Sequence, residues 1–177
     1  MPVALCIGLV SCSDKGGGGM SDAAKKNLDA MHGVQKCFET KDFSKIGDYI
    51  AADAVDHTSM SGKDVKGLDS IKAEMTRMAG MSEGDKTEII KELADDEYVM
   101  SFCRYTGTSK TDEGGMKAGA KFDMMAVEIV KFKDGKAIEH RSMADMAEMM
   151  KMMASANAKP MDQPMTDTAK KMDAMKK

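Results

Sequence analysis

The chain has 177 residues, 42% of them apolar, which is enough to bury the core of one domain. Its 26 Lys and Arg and 29 Asp and Glu leave a net charge of −3 with no basic face or block, which argues against nucleic acid as a partner. No apolar run is long enough to span a bilayer as a permanent helix.

The chain opens on a short apolar segment, Val3 to Val10, and Leu9-Val10-Ser11-Cys12 follows from it. That tetrad resembles a bacterial lipobox, in which the Cys becomes lipidated and N-terminal after cleavage. The resemblance implies a signal over residues 1–12, an acyl anchor on Cys12, and a bacterial cell-envelope location, tethered to the membrane. The alternative is a buried N-terminal strand with an incidental Cys. Residues 13–20, polar and then Gly-rich, read as a flexible linker. Cys6 would leave with the signal, so Cys37 and Cys103 remain, either as an exported disulfide or as two separate buried thiols.

The domain is expected over residues 21–153. Ala24, Leu28, Met31, Val34 and Phe38 form a helical stripe over Ser21 to Glu39, with Ser21 as N-cap. Asp42 caps a second short helix with Phe43, Ile46 and Ile50 inward, and Ala54 to His57 reads as a short strand. A third helix runs from Gly67 to Met78. The period then changes to two: Thr87 to Leu93 is a strand, Asp95-Asp96 a turn, and Glu97 to Thr108 a longer strand. On that strand Tyr98, Met100, Phe102, Arg104 and Thr106 share a face. After a Gly-rich loop over Thr111 to Gly119, Phe122 to His140 is a hairpin about Asp134-Gly135, a pair that tolerates the positive φ of a type I′ turn. A last helix is expected from about Met143 to Met153, and residues 154–177 read as a Met- and Lys-rich disordered tail. Three helices, a run of antiparallel strands and a final helix imply an α+β fold with helices against one face of a curved sheet.

Several segments, in this order, are similar to the SnoaL-like polyketide cyclase branch of the nuclear transport factor 2-like superfamily. They are Asp42, Asp53-Ala54-Val55-Asp56-His57, Gly67, Arg104-Tyr105-Thr106-Gly107-Thr108, and Asp134-Gly135-Lys136-Ala137-Ile138-Glu139-His140 with Asp145. The resemblance covers about residues 24–153 and implies a cone-shaped cavity under a curved antiparallel sheet. It also implies proton transfer during ring closure or isomerisation of a small apolar molecule, without metal or organic cofactor. Two copies of such a domain often pair through the exposed sheet face, so a non-catalytic dimeric interaction module is the rival reading. The chain departs from the family pattern at Arg141, where a Trp is usual, and at Met116-Lys117-Ala118-Gly119.

Such chemistry needs a carboxylate in an apolar pocket, where desolvation raises its basicity, beside a cation that stabilises an enolate. Asp145 matches the family's acid, with His140 and His57 in support; Arg104, Glu128, Phe102 and Met124 are the expected ligand-binding residues. Asp145 has a second reading as the N-cap of the last helix, and His57 one as a hydrogen-bonded structural residue. Three dispersed His without ligand spacing give no zinc site.

Methionine is over-represented, at 21 residues. Met146, Met149, Met150 and Met153 are expected to pack where Leu normally would. The alternative is Cu(I) binding by soft thioethers, with Met149, Met150, Met152 and Met153 and, from the tail, Met161 and Met165 as ligands.

Overall fold

The computed structural model describes residues 19–59 and 62–157. The lipobox-like segment with Cys12, most of the linker and the tail from residue 158 lie outside the described residues.

Helix α1 spans Asp22–Thr40, with the Ala24 N–H donating to Ser21 Oγ at 3.0 Å, the cap expected from the sequence. It ends at Lys41, a non-glycine residue in the left-handed region (φ 56°), whose Nζ donates to Ala79 O and Ser82 O. Helix α2 is a single turn, Ile46–Tyr49, and runs directly into β1, Ile50–Asp56. Asp42 stands ahead of α2 in an Asx turn, accepting the Ser44 N–H at 2.9 Å. The two-residue strand β2, Val65–Lys66, precedes α3, Leu68–Gly80, which follows Gly67 at φ 85°.

Four strands then alternate: β3 Ser82–Ala94, β4 Tyr98–Ser109, β5 Lys121–Lys133 and β6 Lys136–Ala144. Asp95 makes the β3–β4 turn by accepting the Glu97 and Tyr98 N–H groups. The β5–β6 turn has Asp134 at φ 55° and Gly135 at φ 77°, the two positive angles a type I′ turn requires. The sheet order is β2-β1-β6-β5-β4-β3, curled but unclosed. Among the described residues, β1 pairs with β6 in parallel and the other strand pairs are antiparallel.

Helices α1, α2 and α3 cover one face of this sheet, here the inner face. Strand alternation sends Val99, Ser101 and Cys103 of β4, and Ala126, Glu128 and Val130 of β5, to that side. The core is built from Phe43, Ile46, Ile50, Ile71, Val99, Val130 and Phe132, with Phe38 edge-on to Phe43 at 5.2 Å between centroids. Asn27 is buried in α1 because its amide donates to Asp95 O and Asp96 O, pinning the helix to the β3–β4 turn. Cys37 and Cys103 are separate, buried thiols.

Two expectations need correction. Strand β6 continues to Ala144, so the last helix α4 spans Met146–Asn157 instead of starting near Met143. Nor do Met146, Met149, Met150 and Met153 form a packed stripe: Met146 and Met150 are 61% and 64% exposed, while Met149 and Met153 are half-buried.

Candidate active site

The parallel pairing of β1 with β6 sets Asp56 beside His140. The antiparallel β5–β6 pairing sets Val130 opposite His140 and Ser142 opposite Glu128, so the three ionisable groups meet on the inner face. His140 Nδ1 lies 3.1 Å from Asp56 Oδ1 and its Nε2 lies 2.8 Å from Glu128 Oε2. Glu128 Oε1 accepts from the Tyr105 hydroxyl at 2.9 Å and from Ser142 Oγ at 3.0 Å. Asp56 Oδ1 also accepts the Thr58 N–H at 2.7 Å, and Thr58 Oγ1 accepts the Ser142 N–H. Strands β1, β4, β5 and β6 each contribute a member of this network. Its acids are mostly enclosed, with Asp56 and Glu128 side chains 18% and 12% exposed, while His140 at 32% reaches toward solvent.

The electrostatics follow from the geometry. Burial by itself pulls the His140 imidazole down, but its hydrogen bonds to Asp56 and Glu128 and their charges overcome this and raise it to about 9. The ring is therefore a cation at neutral pH, donating from both nitrogens. Burial pushes Asp56 up, yet the His140 bond and charge win and hold the carboxyl below its usual range. Tyr105 is driven upward by burial and by Glu128, so it remains a phenol and a donor. Burial likewise raises the Cys103 thiol on the same face. From α3, Arg77 holds the Glu74 carboxyl low, partly against the charge of Asp56. An imidazolium held between two oriented carboxylates can give a proton at one position and let an acid take one at another.

The expected site residues divide between the two faces. His140 and Glu128 are in the network, and Met124 is on the same face, paired with Tyr105 across β4 and β5. Arg104 and Phe102 are not: alternation turns them to the outer face, where Arg104 makes a two-point pair with Asp123 at 2.8 and 2.6 Å and Phe102 is exposed. Asp145 is exposed and caps α4, accepting the Ala147 and Glu148 N–H groups at 2.8 and 3.1 Å. His57 bonds Asp64 at 2.8 Å and lines an open groove of about 820 Å³ on the outer side of β1 and β6, apart from the network. Arg141 lines the same groove. Asp56 and Tyr105 were not among the expected site residues. The alternation of β1 offered a signal for Asp56, because it sends adjacent Asp56 and His57 to opposite faces. Among the described residues, no group of three or more His, Cys, Asp or Glu is arranged to hold a metal ion.

A family model described as SnoaL-like polyketide cyclase matches residues 28–153. No curated protein matches the sequence. Among solved structures, Bal32a from a soil-derived mobile gene cassette superposes with a TM-score of 0.61 at 22% identity, over 75% of this chain and 99% of that one. TsrD from Streptomyces laurentii gives 0.65 at 14% identity, over 77% and 99%. A LEH-like epoxide hydrolase from M. tuberculosis gives 0.60 at 16% identity, over 75% and 92%. At these identities the likeness establishes a shared fold.

Proposed function

The chain belongs to the SnoaL-like polyketide cyclase family, and from that premise we propose that it binds a small, largely apolar molecule against the inner face and performs cyclase- or isomerase-type proton transfer there. The observation that carries this reading is the placement of His140 between Asp56 and Glu128 at hydrogen-bond distance. Cys103 and Ala126, both small and buried on the same face, supply apolar surroundings.

In this reading the substrate's carbonyl oxygen takes over the Nδ1–H that His140 gives to Asp56. Asp56, released from that bond, becomes more basic and removes a proton from the carbon next to the carbonyl, while the imidazolium stabilises the enolate oxygen. The enolate carbon then bonds to an electrophilic carbon of the same molecule, or is reprotonated at another position, and Asp56 returns the proton. Glu128, oriented by Tyr105 and Ser142, keeps His140 protonated. The test is exchange of α-protons for deuterium in a panel of small cyclic and aromatic ketones, followed by NMR. Wild type should accelerate exchange for at least one ketone, and Asp56→Asn should slow it about 10²-fold or more. Exchange by Asp56→Asn at the wild-type rate would remove Asp56 from the chemistry.

The outer face supports a second reading, a homodimeric interaction module. Across β3, β4, β5 and β6, register aligns Leu93 with Met100 and Ile129, and Phe102 with Val127 and Met143. Leu93, Met100, Phe102 and Met143 are exposed there, a continuous apolar surface of the kind that marks an association site. Sedimentation analysis should then show a dimer that Phe102→Lys dissociates. The lipobox-like segment supports tethering through Cys12 at the bacterial envelope. Incorporation of labelled fatty acid, lost in Cys12→Ser, is the corresponding test.

A further inference from the structure

Helix α4 carries Met146, Met149 and Met150 at i, i+3 and i+4, so their side chains emerge on one side of the helix. Packing does not account for them. Met146 and Met150 are 61% and 64% exposed, and Met149 is half-buried. Met143, also exposed, stands three residues ahead at the end of β6. The outer sheet face, by contrast, uses Leu93 and Phe102 as well as Met at its exposed apolar positions. An apolar contact has no need of sulfur at every position, whereas a soft-metal site does.

We propose that Met146, Met149 and Met150 form a thioether site for Cu(I). Their Cβ atoms, at helical i, i+3 and i+4 spacing, are about 5–6 Å apart. Three rotatable bonds in each side chain let the sulfurs converge on one ion. Thioethers are soft, uncharged ligands that select Cu(I) over harder divalent ions, and they bind without losing a proton. The exposed carboxylate of Asp145, one residue ahead of Met146 at the helix cap, places negative charge near the cation. No electron transfer is involved, because the ion is supplied and held as Cu(I). The site is independent of the His140 network and of the reading given to it.

The test is anaerobic titration of the full chain with Cu(I) against a chromophoric Cu(I) chelator, with X-ray absorption of the loaded protein. Wild type should take up Cu(I) with sulfur as the nearest shell. Met146→Leu/Met149→Leu/Met150→Leu conserves volume at surface positions and should keep the wild-type circular dichroism. Its Cu(I) affinity should fall about tenfold or more. A second variant replaces Met161, Met165, Met172 and Met175 with Leu and should bind as wild type does. Undiminished binding by the α4 variant overturns the site, as does loss confined to the second variant, a nitrogen or oxygen nearest shell, or no uptake by wild type.

Discussion

Asp56 and His140, 84 residues apart, are brought side by side by the parallel pairing of β1 with β6 and joined there at 3.1 Å. Strand β1 meets β6 over few residues, with a register shift between Ile50 and Val55, so this contact fastens the end of a short ladder. His140 passes the link on to Glu128 in β5, and Tyr105 carries it to β4. The same bonds that organise the candidate chemistry therefore also hold four strands in register.

Stability should depend on pH in a window set by these groups. His140 is raised to about 9 from its ordinary 6.5, so its contribution is fully present below 6.5 and is lost as pH rises through 9. Asp56 is lowered from 3.8, so its contribution is present above 3.8 and is lost as pH falls through its lower folded value. Both are in full effect between about pH 4 and 6.5. The thermal midpoint of wild type should exceed that of His140→Gln most in this window, and the gap should narrow above pH 9. A gap constant from pH 5 to pH 10 would contradict the assignment.

Glu128 should control the charge of its neighbour. In Glu128→Gln the His140 imidazole loses one of the two partners that raise it, so its NMR titration should move down from about 9 toward 6.5. Tyr105→Phe removes one donor from the Glu128 carboxylate and should cost about 1–2 kcal/mol, read by chemical denaturation.

Asp145 should matter to α4 and not to proton transfer. Asp145→Ala deletes a cap that accepts two N–H groups and should weaken the helix by about 0.5–2 kcal/mol, seen as faster amide exchange over Ala147 to Met150. Deuterium exchange into a ketone substrate should be unchanged. A loss of turnover comparable to that of Asp56→Asn would return Asp145 to the mechanism.

Gly33 should resist the usual benefit of Gly→Ala within a helix, about 1 kcal/mol. A Cβ at this position of α1 would run into the Tyr49 ring of α2, which packs directly on the glycine. Gly33→Ala should therefore destabilise the domain by about 1–3 kcal/mol in urea unfolding. Gly80, at the end of α3, has open space around it and serves as the control.

Much of the fold was legible because its signals are local. Asp134-Gly135 fixed a hairpin, Asp95-Asp96 a turn and Ser21 a cap, each of which needs only neighbouring residues. The site was less legible because its assembly is not local. On β4 the more apolar-looking set, Met100 and Phe102 with Arg104, suggested the inner face, yet it is the outer one. The inner set, Val99, Ser101, Cys103 and Tyr105, looks weaker because small and hydroxyl side chains occupy the enclosed side. Periodicity separates two faces but does not say which is covered when both carry apolar residues. In the same way, adjacent Asp56 and His57 are told apart only once β1 is known to lie along β6.

That parallel pairing also has a kinetic consequence. Contacts between residues far apart in sequence form slowly, because a long loop must close before they are rewarded. The β3–β4–β5 meander is joined by local turns and takes no strand pairing from β1, whereas α2 and α3 pack on that strand. Asp56 reaches His140 only after β6 has added to β5 and β1 has docked alongside, so the acid–base pair is among the last features expected to form. A chain with α1 and the meander in place would give much of the native circular dichroism while His140 still titrated as an ordinary imidazole.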